Sequence, residues 1–273
     1  MSVKDVLMKE VRLIATDMDN TLLTSKGELP PNFKQTVFDL VATGREFVIA
    51  SGRPLYTLKS IFYDCQDMLS LIGDNGAVIS HKGELIDKRL LAVKDYQEMV
   101  HFVLNQTDGV PIICGVDAAV IAKEHREYEP YFRKFYSEMI FVDDLTTVDV
   151  SANKFTIFFP NHDSTLHFEN VIGPAFSVRF SVAVSDVMWI DIMNVGVNKG
   201  VALETLGKYL EISPAEMMAF GDTYNDIQML QAVKYSYLVA NAGEEMRQYA
   251  KFETASNDEY GVFQVLHQLL DEE

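Results

Sequence analysis

The sequence predicts an α/β protein: a Rossmann-like core built on a parallel sheet, interrupted by a large inserted α/β domain. Three observations lead there. Short apolar, partly β-branched runs end repeatedly in acidic clusters, segments of helical periodicity lie between them, and from about Gly83 to Val187 the strands alternate more clearly. The expected organisation is a core of residues 1–83 and 188–273 around an inserted α+β domain of residues 84–187.

The first apolar run, Val11–Thr16, reads as a buried parallel strand leading into Asp17-Met18-Asp19-Asn20-Thr21. Phe33, Val37, Leu40 and Val41 follow Pro30-Pro31 at helical spacing, and Gly44 supplies the stop. Phe47–Ala50 is the next buried strand and ends at Ser51-Gly52-Arg53-Pro54. Strand, helix, strand in this order is a βαβ unit, and ligand sites in open parallel sheets gather beyond the carboxyl ends of the strands, so Asp17 and Ser51 should be neighbours. Asn75-Gly76 reads as a tight turn.

Within the insert, strands are expected at 110–114, 119–123, 154–159 and 176–182, and the aromatic run Tyr128–Tyr136 as its core and rim. After Trp189–Ile192, Lys199-Gly200 opens an apolar-periodic helix through Val201, Leu203, Leu206 and Leu210. Ser213-Pro214-Ala215-Glu216 has the form of a capping box. Met217–Phe220 is a further strand running into Gly221-Asp222-Thr223-Tyr224-Asn225-Asp226, and Tyr237–Ala240 is another.

With 48% hydrophobic and 23% charged residues the chain can bury a substantial core. A net charge of -17, spread along the sequence without a basic stripe, speaks against nucleic acid as a partner. Two cysteines among apolar neighbours, Cys65 and Cys114, read as reduced core thiols, and six scattered histidines lack zinc-site spacing. The first ten residues mix charges without a long apolar run, so no secretory signal is expected, and with nowhere about 18 consecutive apolar residues no membrane span is expected either. The expectation is a cytoplasmic protein, monomer or homodimer, that meets no membrane.

The chemistry lies at the strand ends. Crowded carboxylates raise one another's pKa unless a cation compensates, and hard oxygen ligands point to magnesium. Asp17 is placed to attack a phosphoryl group, and Asp19 to protonate the leaving alcohol and then activate water. Ser51 and Lys199, with Gly52, would hold the transferring oxygens. Asp222 should bind the metal, with Asn225 and Asp226 in support. Arg53 is a candidate contact to substrate or a carboxylate, and Thr21 a local partner that orients Asp19. Lys199-Gly200 lacks the spacing of a nucleotide-binding loop.

These four motifs in this order resemble the haloacid dehalogenase (HAD) superfamily, specifically its Cof-type phosphatases, across essentially the whole chain. The turn Asn75-Gly76-Ala77 and the segment Asn257–Val262 also look like that group. The resemblance implies a HAD core with a C2-type cap between the second and third motifs. It implies Asp17 as nucleophile, Asp19 as acid/base, and magnesium on Asp17, the Asp19 backbone carbonyl and Asp222. Two positions depart from the pattern. Asn20 replaces the usual Gly, and Asn tolerates a left-handed backbone. Ser51 replaces the commoner Thr and keeps the hydroxyl.

The leading expectation is a magnesium-dependent phosphomonoester hydrolase for small phosphorylated metabolites of the sugar phosphate type, with the insert closing over the site. A sugar phosphomutase uses the same paired Asp, and release of inorganic phosphate separates the two. A phospho-accepting signalling domain needs similar residues but is roughly half this length and lacks the acid at position 19. A binding protein that keeps the pocket without turnover is the remaining alternative.

Overall fold

A computed structural model describes residues 10–271. Residues 1–9, on which the leader reading rests, lie outside the described residues. The strands, in chain order, are β1 Leu13–Asp17, β2 Glu46–Ala50, β3 Leu69–Gly73, β4 Val78–His81, β5 Glu84–Lys88, β6 Val110–Gly115, β7 Ala119–Ala122, β8 Met139–Val142, β9 Ala152–Phe158, β10 Phe180–Asp186, β11 Trp189–Asn194, β12 Met217–Gly221, β13 Tyr235–Val239 and β14 Phe252–Thr254. The helices are α1 Phe33–Ala42, α2 Leu55–Ile61, α3 Val93–Gln106, α4 Glu129–Phe132, α5 Ser164–His167, α6 Gly173–Phe176, α7 Lys199–Leu210, α8 Ile227–Ala232 and α9 Gly261–Asp271.

The chain divides into two compact units. The first comprises the described residues up to Ser51, with Asp64–Ile86 and Asn198 onward; the second comprises Gly52–Tyr63 and Asp87–Val197.

The first unit is organised by a sheet of order β14-β13-β12-β1-β2-β3-β4-β5. From β14 to β3 every neighbouring pair is parallel, and β4 returns antiparallel to β3. All five residues of β1 are buried, as its unbroken apolar run requires of a strand covered on both faces. Burying Leu13 and Ile14 contributes roughly 2–3 kcal/mol each. On one face Leu13, Ala15, Val48 and Ala50 pack with Ala202, Leu203 and Leu206 of α7 and Met229 and Leu230 of α8. On the other, Phe33 of α1 packs edge-on to Phe47 and stacks on Phe263 of α9. The chain adds strands outward from β1 in one direction, then returns to add β12 to β14 on its other side. The β1/β12 boundary is therefore the topological switch point, where the carboxyl ends of parallel strands leave a crevice.

The second unit carries a sheet of order β10-β11-β9-β6-β7-β8, antiparallel except for the β7–β8 pair. One face is apolar and packs Tyr96, Met99, Val100 and Val103 of α3 over Ile113, Phe155, Ile157, Ile190 and Ile192. The other carries an aromatic cluster of Phe132, Tyr136, Phe158 and Trp189, so the aromatic run at 128–136 is core and rim. One expected strand is corrected. Phe176 ends a helix instead, because Pro174 sits in the first turn of Gly173–Phe176, and the strand begins only at Phe180. The capping box at Ser213–Glu216 forms, opening a single 3₁₀ turn into β12. Cys65 and Cys114 are buried and form no disulfide.

The Asn75-Gly76 turn has positive φ at both residues, 56° and 105°. A methyl group on Gly76 would run into the carbonyl of Asn198, the residue that caps α7. Gly76→Ala should therefore destabilise the protein by at least about 2 kcal/mol, from backbone strain and overlap together. An unchanged urea midpoint would contradict this account of the turn.

Candidate active site

Every parallel strand that flanks the switch point delivers a polar residue at its carboxyl end. Asp17 ends β1, Ser51 follows β2, Asp74 and Asn75 follow β3, and Asp222 follows β12. Lys199 arrives from the other direction, as the first residue of α7. Asn198 caps that helix by accepting the Val201 N–H at 2.9 Å, which fixes where the Lys199 side chain leaves the backbone.

The Lys199 ammonium is fully buried and donates to Asp17 Oδ1 at 2.5 Å and to Asp226 Oδ1 at 2.7 Å. Asp226 Oδ2 accepts the backbone N–H groups of Asp222, at 3.0 Å, and Thr223, at 3.3 Å. Asp226 thus spends both oxygens on holding its neighbours. Asp222 Oδ1 accepts the Thr21 hydroxyl at 3.0 Å. Thr21, expected to orient Asp19, bonds to the carboxylate across the switch point. Asn225 donates to Asn75 Oδ1 at 3.0 Å, and the Asn75 N–H donates to the Ser51 carbonyl at 3.0 Å.

The loop after Asp17 turns on Asn20, whose φ of 60° and ψ of 3° are left-handed. That is the backbone Asn accepts at small cost where a Gly is usual. Its carbonyl accepts from Asn241 Nδ2 at 2.8 Å, Asn241 Oδ1 accepts the Asn257 N–H at 2.9 Å, and Asn257 Nδ2 donates to the Leu23 carbonyl at 2.9 Å. Both ends of the acidic loop are thereby fastened to segments that follow β13 and β14. Sequence reading noted the segment at Asn257 only as a likeness and missed Asn241. An Asn at the carboxyl end of a strand was the available signal for it.

Three carboxylates share one ammonium here. Asp17, Asp222 and Asp226 each place an oxygen within 4.8 Å of the others. Burial pushes the Asp17 carboxyl well above the usual range; Lys199 opposes this, while Asp226 and Asp222 add to it. Burial pushes Asp222 up to about 7, reinforced by Asp226 and Asp19 and opposed by Thr21 and Lys199. For Lys199 burial disfavours the charge, but Asp17 and Asp226 outweigh it and its pKa rises. The ammonium therefore stays charged and the surplus negative charge falls on Asp17 and Asp222. A bound divalent cation would relieve that excess, and oxygen donors suit a hard ion. Asn225 Oδ1, buried without a hydrogen-bond partner, also fits such a site.

Of the residues singled out from sequence, Asp17, Thr21, Lys199, Asp222, Asn225 and Asp226 are joined by these bonds, and Ser51 is tied in through its backbone. Asp19 is half-buried on the same loop and acts electrostatically on Asp222. Gly52 and Arg53 belong to the second unit. There Arg53 donates to the Lys134 carbonyl at 3.0 Å and lies 5.6 Å from the Phe135 ring centre.

The sequence model of the haloacid dehalogenase-like hydrolases matches residues 14–266, from the first strand into the last helix. The chain belongs to that family. Among its relatives are the 5-amino-6-(5-phospho-D-ribitylamino)uracil phosphatase YbjI of Escherichia coli K12, 27% identical over 96% of this chain and 97% of that protein. An HMP-PP phosphatase of Escherichia coli O6:H1 is 28% identical, with 86% of each chain covered. Among solved structures, SMU.1108c from Streptococcus mutans UA159 matches with a TM-score of 0.89 and 30% identity, covering 96% of this chain and 99% of that one. The HAD subclass IIB sugar phosphatase BT4131 matches with a TM-score of 0.78, 95% and 99% coverage and 19% identity, a likeness of fold. The resemblance carried by the motifs holds, and so does the parallel-sheet fold it implied. The hydrolase is an enzyme of the phosphatase type.

Two outcomes follow from the charge balance. Lys199→Met, which leaves buried carboxylates uncompensated, should cost the hydrolase about 3–5 kcal/mol in chemical denaturation at neutral pH. A loss under about 1 kcal/mol would show that the ammonium does not hold the cluster. Asp222 has a folded pKa of about 7 against an ordinary 3.8, so the folded state binds the extra proton between those values. Its contribution to stability is present below pH about 4 and is lost as the pH rises through about 7. In excess chelator, Asp222→Asn should therefore flatten the fall in melting temperature between pH 5 and pH 8. Parallel pH profiles for the two proteins would refute it.

Proposed function

We propose that this phosphatase hydrolyses small phosphorylated metabolites through a phosphoryl group carried on Asp17, with magnesium as cofactor. The observation that carries the reading is the Asp17–Lys199–Asp226 triad at the switch point, with Asp222 fixed beside it by Thr21. A nucleophilic carboxylate has to be ionised while buried, and Lys199 is the group that favours that state. Asp17 and Asp222, with the backbone carbonyl of Asp19, would hold the cation; when bound it neutralises the carboxylates and draws charge from the phosphoryl oxygens.

In the proposed cycle an oxygen of Asp17 attacks phosphorus and the ester bond to the leaving alcohol breaks. Asp19 delivers its proton to that alcohol, then takes a proton from the water that attacks the aspartyl-phosphate. Inorganic phosphate leaves and Asp17 is regenerated as a carboxylate. The Ser51 hydroxyl, the Gly52 backbone and the Lys199 ammonium are assigned to the transferring oxygens, where charge spreads in the transition state. Asp226 and Asn225 support the loop of Asp222. The left-handed Asn20 turns the chain directly after Asp19.

Sugar and polyol phosphates are the proposed substrate class. YbjI and the HMP-PP phosphatase are named for small phosphorylated compounds, which supports that choice. A cytoplasmic setting is proposed as well, in keeping with the two unbridged thiols. Among the described residues no helix is long and apolar enough to cross a membrane.

Asp17→Asn should abolish hydrolysis of p-nitrophenyl phosphate with an unchanged circular dichroism spectrum, and Asp19→Asn should lower kcat by about 10²–10⁴. Retained turnover in the Asp17 variant would remove the covalent step. Activity should vanish in excess chelator and return on adding magnesium. A panel of sugar, polyol and nucleoside phosphates compared by kcat/KM tests the substrate class, and preference for a bulky phosphoprotein would overturn it.

A further inference from the structure

The second unit buries an ion pair that no step of the proposed cycle uses. Side chains on a strand alternate between faces. On β9, Phe155 and Ile157 join the apolar face under α3, so Lys154, Thr156 and Phe158 lie on the other. On β11, Ile190 and Ile192 join the apolar face, and Trp189 and Asp191 take the other. Thr156 and Asp191 are partners across the two strands, and Lys154 is the partner of Cys114 on β6.

Beside the aromatic cluster this face therefore carries a charged group, with the Lys154 and Asp191 side chains 4% and 5% exposed. Their charged atoms lie 3.6 Å apart. Asp191 Oδ1 also accepts the Thr156 hydroxyl at 2.7 Å, and Cys114 Sγ lies 3.4 Å from that hydroxyl. The Lys154 ammonium also donates to a backbone oxygen, the Gly52 carbonyl, at 2.8 Å.

A buried ion pair is a poor device for stability, since apolar residues of similar volume commonly do as well or better. What Lys154 grips is informative. Gly52 is the first residue of the second unit and follows Ser51 directly. The segment it opens is fastened at two further points within the unit: Arg53 donates to the Lys134 carbonyl, and the Thr57 hydroxyl accepts the Ser137 N–H at 3.1 Å. An ammonium has three donors, so Lys154 can hold the Gly52 carbonyl while facing the Asp191 carboxylate, which balances its charge.

We propose that Lys154 and Asp191 form a positioning pair for the reaction, which fixes the Ser51–Gly52 peptide and through it the direction of the Ser51 hydroxyl. This rests on the reading of Ser51 as a phosphate-holding residue. The pair touches no reacting atom; it acts by removing freedom from a residue that does. Small misplacement of such a group lowers kcat more than it raises KM.

The test is a cycle on the full chain with p-nitrophenyl phosphate, combining Lys154→Met/Asp191→Leu with Ser51→Ala. The Met/Leu protein replaces the pair by apolar side chains and is checked by circular dichroism. It should lose about tenfold or more in kcat with KM changed by less than about threefold. In the Ser51→Ala background the same replacement should cost less than about twofold, because the group it positions is gone. Should the Met/Leu protein not fold, Asp191→Asn, which keeps the shape and removes the countercharge, is carried through the same cycle and read in the same way. Wild-type kcat in the pair variant, or an equal loss with and without Ser51, overturns the proposal. Wild-type kcat in Ser51→Ala alone instead overturns the role of Ser51, so the two failures are told apart.

Discussion

The buried ammonium of Lys199 is the interaction on which the first unit depends. It reaches Asp17 at the end of β1 and Asp226 beyond β12, and so ties the two parallel strands at the switch point, where the order of strand addition reverses. Desolvating a charge costs several kcal/mol, and here at least two carboxylates must be desolvated with it. A pair that served only stability would have been better built from apolar residues. The arrangement makes sense as a preformed electrostatic site: an anionic nucleophile kept next to a fixed positive charge, with a surplus of negative charge left for a cation to neutralise.

Around that centre the backbone is over-determined. Asn20 takes a left-handed conformation that most side chains avoid, and such strain persists only where surrounding structure enforces it. Enforcement comes from a relay of asparagines. Asn241 holds the carbonyl of Asn20, Asn257 holds that of Leu23, and Asn257 is itself held by Asn241. An Asn side chain both donates and accepts, so one residue type can join loops that never meet as strands. Asn75 and Asn225 do the same on the other side, linking the turns after β3 and β12.

The fold and the acidic centre were legible in the sequence because both rest on local signals. An apolar run too continuous for a half-buried strand marked β1, β2 and β12, and each ran straight into its polar residue. The reading of Asn20 as a tolerant substitute for Gly also rested on a local property, and its φ of 60° agrees. What escaped depends on contacts between distant residues. Asn241 showed only its place at a strand end, while its partner Asn20 lies 221 positions away, and Thr21 is close in sequence to Asp19 but bonds to Asp222, 201 positions away. The strand misplaced at Phe176 failed for another reason: apolar residues cannot separate a short helix from a strand by periodicity alone, and Pro174 decided between them.

The second unit shows why parity along a strand is worth following even inside an inserted layer. Lys154-Phe155-Thr156-Ile157-Phe158 looks like a half-polar strand, and alternation alone would turn Lys154 and Thr156 toward water. Both are buried, because the face they occupy is covered by the aromatic residues at 128–136 and by the segment that begins at Gly52. A lysine buried in that setting needs an anion, and Asp191 supplies it; the carbonyl it grips belongs to the residue after Ser51. The same physical device thus occurs in both units. A desolvated ammonium paired with aspartate orders parts of the chain that no strand or helix orders by itself.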